Sequence, residues 1–232
     1  MQIVMVVVVL LLSYVLGSIP FGLVFVWLKT RRDLRTIESG RTGGTNAMRA
    51  AGFWAGLATA IMDLLKSSAA VWLALWVAPD NVWLHILAPI AAILGHNYSI
   101  FLSGRDENGK FRLRGGAGGA PAAGGAFGLW PPIILMIIPL TLFFLFVVGY
   151  ASVATMSIAA TIIVVFAIRA WLGLSPWQYV IYGILAEVLL VWSLRPNIRR
   201  LMNGTERLVG LRARRRKQRQ NGDHSSSSSS SS

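Results

Sequence analysis

The sequence predicts an all-α membrane protein: a bundle of about seven transmembrane helices, N-terminus outside and C-terminus cytoplasmic. Three observations carry that expectation. Apolar runs of about 20 residues, the length that spans a bilayer, recur along the 232-residue chain. Only 13% of the residues are charged and 55% are hydrophobic, whereas a soluble domain would be roughly a quarter charged. Twenty of the 22 Lys and Arg fall in three places, 29–51, 103–114 and beyond Leu194. The positive-inside rule puts all three in the cytoplasm. The net charge of +13 is therefore a topology signal rather than a nucleic-acid footprint, and no nucleic-acid partner is expected.

The elements follow in order. The first run, 3–28, is too long for a signal-peptide core and lacks a basic leader, so it reads as a retained helix. Runs 52–78 and 83–102 follow, divided at Pro79-Asp80. Segment 115–130 is short and rich in Gly and Ala, a composition that lets helices approach closely. It is read as a crossing, because otherwise the basic tail would emerge outside; a re-entrant segment is the competing reading. Runs 132–149, 152–170 and 177–194 complete the set, with joins at Pro131-Pro132, Gly149 and Ser175-Pro176. Residues 1–210 are expected to form one transmembrane domain. Residues 211–232, a basic cluster followed by eight serines, read as a disordered tail. Its cations would sit near anionic membrane lipid.

The first basic loop carries SGRTGGTNAMR, Ser39 to Arg49. Thr45 or Asn46 suits a helix N-cap, and Gly43 and Gly44 let a ligand approach the backbone. A helix N-terminus favours an anion. On this reading Arg49 falls in the first turn, where the macrodipole disfavours a cation unless an anion is bound. A second such string is RLRGGAGGAP, Arg112 to Pro121. GRDENGKF, Gly104 to Phe111, nearly spells a P-loop but has Phe111 where Ser or Thr is needed, and acids that repel phosphate. Cys is absent, which removes disulfides and thiol nucleophiles. No metal site or cofactor is implied. None of the three His has an Asp five positions on, which argues against a His–Asp acyltransferase base.

Within the spans, Asp63 and Lys66 lie three apart on one helix face and read as a self-satisfying pair. His96 reads as a helix-end histidine. Glu187 has no partner near in sequence and is expected to face a pocket or to meet Lys66. Arg169 is expected to snorkel.

Several strings together resemble one family. These are GSIPFG (17–22), SGRTGGTNAMR, DLLK (63–66), GH (95–96), RGGAGGAP, GYASVAT (149–155) and NIRRLMNGTE (197–206). Their order from residue 17 to 206 is similar to that of the bacterial acyl-phosphate-dependent glycerol-3-phosphate acyltransferases, small seven-helix enzymes of the inner membrane. The resemblance implies transfer of an acyl group from acyl phosphate to the 1-hydroxyl of glycerol 3-phosphate, giving lysophosphatidic acid in phospholipid biosynthesis. It implies that Ser39, Thr45, Asn46 and Arg49, with the Gly43 and Gly44 amides, hold phosphate. Arg114, Gly115 and Gly116 would form part of a second phosphate site, and Ser152 and Asn197 would line the same pocket. Ser39, Arg49, Ser152 and Asn197 carry the catalytic assignment.

The chain departs from the family pattern at Arg41, Ala117 and Leu194, where the family has Asn, Lys and His. Arg41, Lys110 and Arg112 are the cations that would compensate for Ala117. Two other readings stay open. One is a relative that binds lipid precursors or a partner without turnover, suggested by Ala117 and Leu194. The other is a permease for a phosphorylated solute, suggested by Asp63 and Lys66, against which stands the lack of an internal repeat.

Overall fold

The computed structural model describes residues 2–105 and 109–212. Of the basic and poly-Ser tail, residues 213–232 lie outside the described residues, as do Asp106 and Glu107 of the near P-loop string.

The first expected helix is two. α1 (Gln2–Ser18) and α2 (Phe21–Thr30) are broken at Ile19-Pro20. Proline lacks an amide hydrogen and disfavours helical backbone in the residue before it. The Ile19 carbonyl turns out of the helix and accepts from Lys66 Nζ at 3.1 Å. α2 ends where Arg31 turns left-handed at φ 57°, its guanidinium stacked 4.1 Å from the centre of the Trp27 ring. Beyond it Asp33 caps a 3₁₀ turn, Leu34–Thr36, accepting from the Arg35 amide at 2.9 Å. The Arg35 guanidinium bound to the same carboxylate holds Asp33 below the usual carboxylate range.

The loop 37–43 does not lead straight into a spanning helix. It opens α3 (Gly44–Ala51), an eight-residue helix, and Gly52 at φ 88° then redirects the chain into α4 (Phe53–Val77). Only glycine takes that backbone freely. The N-cap is Gly43, not Thr45 or Asn46. Arg49 therefore stands in the last turn of α3, where the macrodipole favours a cation.

α5 (Val82–Asn97) starts at Asn81, whose side chain accepts from the Leu84 amide at 3.1 Å. It stops five residues short of the expected end. Ser99–Arg105 (β1) instead pairs antiparallel with Phe111–Arg114 (β2). This hairpin is the departure from the all-α expectation. The tie at its root is chemical: Ser99 Oγ donates to Ser18 O at 2.6 Å, which leaves Ser99 buried at the base of α1.

α6 (Gly119–Leu129) is 11 residues long, about 16 Å at 1.5 Å per residue, so only part of the expected segment 115–130 is helical. Eight of its residues are buried, all of them Gly, Ala or Pro. A Cβ added at Gly124 would overlap the Leu64 backbone carbonyl, and one at Gly125 would overlap Tyr182 Oη. Ser68 Oγ donates to Gly124 O at 2.8 Å, and Tyr182 Oη donates to Ala122 O at 2.7 Å. The small residues thus bring the α4 and α6 backbones into contact. Gly124→Ala is expected to force them apart at the upper end of overpacking costs, about 3 kcal/mol, read as a lowered thermal midpoint in detergent.

α7 (Ile134–Phe143) is flanked by a 3₁₀ turn, Pro131–Ile133, and a π-helical turn, Phe144–Val148. α8 (Ala151–Trp171) and α9 (Gln178–Met202) pack as neighbours. α9 runs past the expected end at 194, through Pro196. The Trp192 carbonyl that proline leaves without its helical donor accepts from Arg195 Nε at 2.9 Å. Arg169 lies over the Trp130 ring at 3.9 Å and donates to Leu174 O at 2.9 Å.

Among the described residues, five helical stretches are long and apolar enough to cross a membrane: Gln2–Thr30, Phe53–Val77, Pro131–Val148, Ala151–Trp171 and Gln178–Met202, with Val82–Asn97 a shorter apolar helix. Large side chains such as Trp76, Leu135 and Trp171 are more than 70% exposed, which suits lipid contact and not water. The core is built by α5, α6, α8 and α9 around Phe166 and Tyr182. α1 and α5 interlock through glycine: a Cβ on Gly17 would overlap Ala92 O, and one on Gly95 would overlap Tyr14 O. Gly17 of GSIPFG and Gly95 of GH thus serve helix packing, while Gly22 lies against the Thr42 carbonyl of the loop before α3.

Candidate active site

The basic segments meet at one end of the bundle. Thr42 N–H donates to Gly115 O at 3.4 Å, Arg41 Nη2 donates to Ser193 O at 2.6 Å, and Glu38 pairs with Arg207. They enclose a cavity of about 520 Å³. One flank is apolar, formed by Phe53, Leu57, Leu142, Leu145 and Ile158 from α4, the π-helical turn and its neighbours, and α8. The other is polar and carries Arg41, Arg49, Arg200 and Arg207.

Nine of the nominated residues line this cavity: Ser39, Arg41, Gly43, Gly44, Thr45, Asn46, Arg49, Ser152 and Asn197. The N–H groups of Gly43, Gly44 and Thr45 have no acceptor among the described residues, as expected for the first turn of a helix. A Cβ added at Gly43 meets nothing within 4 Å. Asn46 is a clamp: its Nδ2 donates to Ile37 O at 3.0 Å and Arg41 O at 2.9 Å, folding the loop onto itself. Ser152 stands in the first turn of α8, 1% exposed, with no partner for Oγ. Asn197 Nδ2 donates to Glu206 Oε1 at 2.8 Å, and Glu206 also accepts from Arg200 Nε at 3.1 Å. Burial first, and then the nearby Arg200, hold the Arg41 guanidinium below an ordinary arginine, partly offset by Glu206.

The second nominated set lies elsewhere. Arg114 is exposed at the end of β2, and Lys110 and Arg112 belong to the hairpin; none lines the cavity. Gly115 and Gly116 lie behind it. The Gly116 amide is occupied, donating to His96 O at 2.9 Å, and a Cβ on Gly116 would overlap His96 Nε2. What reaches the cavity from this loop is Ala117 through Ala120, led by Gly118 at φ 95°. Ala117 and Leu194 both line it, so all three departures, with Arg41, face the cavity.

Asp63 and His96, expected from the sequence as half of a self-satisfying pair and as a helix-end histidine, line the cavity floor. Lys66 Nζ lies 2.8 Å from Asp63 Oδ1 and 2.9 Å from His96 Nδ1. An ammonium only donates, so Nδ1 must accept and the ring hydrogen is on Nε2, the side facing Gly116. Lys66 does not meet Glu187, whose Oε2 is buried without a partner. Glu38, Arg200, Glu206 and Arg207 also line the cavity without having been nominated. The last run was expected to end at 194, whereas α9 continues to Met202; the resemblance nominated Asn197 on that extension but not Arg200.

The chain matches the family model described as glycerol-3-phosphate acyltransferase over residues 7–204. It belongs to the glycerol-3-phosphate acyltransferase family. Relatives bearing that name include proteins of Syntrophomonas wolfei, 33% identical over 197 residues (85% of this chain, 93% of the relative), and Rubrobacter xylanophilus, 36% identical over 207 residues (89% and 96%). The fold is similar to that of PlsY, an integral membrane glycerol 3-phosphate acyltransferase. Its glycerol 3-phosphate form matches at a TM-score of 0.74 and 29% identity, covering 88% of this chain and 96% of that one. Its lysophosphatidic acid form matches at 0.71 and 27%. This acyltransferase is accordingly a multi-pass membrane protein, and its family membership ties it to phospholipid biosynthesis.

Proposed function

We propose that this acyltransferase takes its acyl group from acyl phosphate and delivers it to the 1-hydroxyl of glycerol 3-phosphate, releasing lysophosphatidic acid and inorganic phosphate. One observation carries the reading: a single cavity joins an apolar flank, suited to an acyl chain, to a flank of arginines and unpaired amides, suited to phosphate. The solved relative's two forms, with glycerol 3-phosphate and with lysophosphatidic acid, correspond to the acceptor and the product.

The chemistry asks little of the chain. Acyl phosphate is already activated. The acceptor hydroxyl attacks the carbonyl carbon, an ester C–O bond forms, and the bond to the leaving phosphate breaks. The hydroxyl proton passes to a phosphate oxygen. No covalent nucleophile, metal or cofactor enters. The protein's part is to place two anions and to stabilise negative charge on the carbonyl and leaving-group oxygens. Arg49 and the amides of Gly43, Gly44 and Thr45 would grip a phosphate, with Ser39 beside them. Ser152 and Asn197 would contact the polar ends of the substrates from α8 and α9, and Asn46 would hold the loop in shape.

The cavity would open on the cytoplasmic side of the bacterial inner membrane. Its supports are the basic loops gathered around it and the positive-inside rule. The water-soluble acceptor arrives on that side.

Phosphate release from palmitoyl phosphate by the purified protein in lipid, with and without glycerol 3-phosphate, tests the reading. Acceptor-dependent release is expected. Arg49→Ala is expected to lower kcat/KM by roughly 30- to 100-fold, the loss of one strong charge-assisted contact. Release that ignores the acceptor, or its complete absence, would overturn the transferase reading. Complete absence would favour the non-catalytic binding role that Ala117 and Leu194 suggest.

A further inference from the structure

Every acidic side chain lining the cavity already has a basic partner. Glu38 meets Arg207, Glu206 accepts from Arg200 at 3.1 Å, and Asp63 lies 2.8 Å from Lys66. Arg41 and Arg49 line the same cavity without an ion pair among the described residues. They are the cations left over, and they differ in setting: Arg41 is half-buried and tied to α9, Arg49 exposed on α3.

Arg49 is exposed in the last turn of α3, four residues before Phe53, where the apolar flank begins. Arg41 reaches the other way. Its Nη2 donates to Ser193 O on α9 at 2.6 Å, and Ser193 Oγ donates to Gly116 O at 3.3 Å. Its guanidinium is thereby tied to the seam where α9 meets the glycine loop, next in sequence to Leu194 and Ala117. Those two contribute no hydrogen-bonding side chain. Nη1 is buried and has no acceptor. A guanidinium held through Nη2, with Nη1 unmet, offers a charged donor to a phosphate oxygen. A buried donor left unmet is costly, so a bound anion would be favoured there.

We propose that Arg41 seats the phosphate of the water-soluble acceptor, glycerol 3-phosphate, while Arg49 seats the phosphate of the membrane-borne donor. The assignment rests on the transferase reading above and adds to it a division of labour. The donor's chain must lie along the apolar flank, which begins beside Arg49. The acceptor has no chain and takes the part of the polar flank where Arg41 is tied to α9. Position 41 then sets acceptor recognition in this chain, at a seam where neighbouring positions 117 and 194 offer no charge.

The test uses the full chain in phospholipid nanodiscs. Arg41→Gln keeps an amide donor for Ser193 O and removes the charge; Arg41→Lys restores charge without the planar fork. KM is measured separately for glycerol 3-phosphate and palmitoyl phosphate, with thermal midpoints to confirm folding. Arg41→Gln is expected to raise KM for glycerol 3-phosphate by about tenfold or more and to leave that for palmitoyl phosphate within about twofold. Arg41→Lys should recover part of the loss, and Arg49→Ala should show the reverse preference. An acceptor KM within about twofold of wild type, or both KM values rising together, would make Arg41 a structural tie only and overturn the proposal. Calorimetric titration with glycerol 3-phosphate alone separates this from failure of the transferase reading. If wild type binds without turning over and Arg41→Gln does not bind, the Arg41 seat stands while the reaction falls. Equal binding by both, or none by wild type, removes the seat.

Discussion

Lys66→Met is expected to destabilise the protein by about 3–5 kcal/mol, the cost of leaving a buried charge without its partner. The Lys66 and Asp63 side chains are 1% and 2% exposed. Removing the ammonium strips Asp63 of its counter-charge, Ile19 O of a donor and His96 Nδ1 of a donor at one stroke. Chemical unfolding in detergent, followed by tryptophan fluorescence, reads the loss. The double variant Asp63→Leu/Lys66→Met should regain much of it, because well-packed apolar side chains often replace a buried pair at little cost. A single variant as stable as wild type would show that water or another cation already serves Asp63.

Gly116→Ala is expected to lower acceptor-dependent phosphate release by about 100-fold in a protein that still folds. The added Cβ would overlap His96 Nε2, and the ring cannot swing aside because Lys66 holds Nδ1 at 2.9 Å from behind. The loop must move instead, carrying Ala117 to Ala120 with it, and a displacement of about 1 Å at a reacting centre can cost that much. Gly43→Ala is the control in the facing loop. Its Cβ would meet no atom within 4 Å, so any activity it loses reports a ligand approaching that backbone. Equal activity in Gly116→Ala and wild type would mean that the loop does not position substrate.

The fold was legible where a local cause acts on a long run. The apolar stretches became the helices, Pro and Gly marked most joins, and the Gly/Ala segment packs closely against α4. It was misread where a local cause was compensated. Pro20 breaks the first helix, yet Pro196 does not break α9, because the Arg195 side chain occupies the carbonyl that proline leaves. Gly52 divides α3 from α4 through a backbone angle that residue type permits but does not demand. That division moved Arg49 from the first turn of a helix to the last.

The candidate site was legible in its first loop and not in its second. Ser39 to Arg49 carry their polar groups into the cavity within one stretch of chain. The glycines at 115 and 116 look like an anion loop in sequence but are spent against the end of α5, as the occupied Gly116 amide shows. Asp63 and His96 reach the cavity floor only because α4 and α5 cross beside it, which their own spacing does not reveal. Arg200 lies on the part of α9 beyond the expected end, and Glu206 and Arg207 depend on the chain folding back after α9. The Gly149 carbonyl accepts from the Val209 amide at 2.8 Å there.

The broken helix at Ile19-Pro20 has a consequence for how the chain is made. A helix carrying two full charges is a poor passenger for a translocon, but α4 carries its carboxylate and ammonium three residues apart and enters lipid as a neutral dipole. Two of the three ammonium hydrogens must then find acceptors outside that helix. One is Ile19 O, synthesised before α4; the other is His96 Nδ1, synthesised after it. Lys66 thus joins an early segment to a late one, and the lateral assembly of α1, α4 and α5 is complete only once the histidine has emerged from the ribosome.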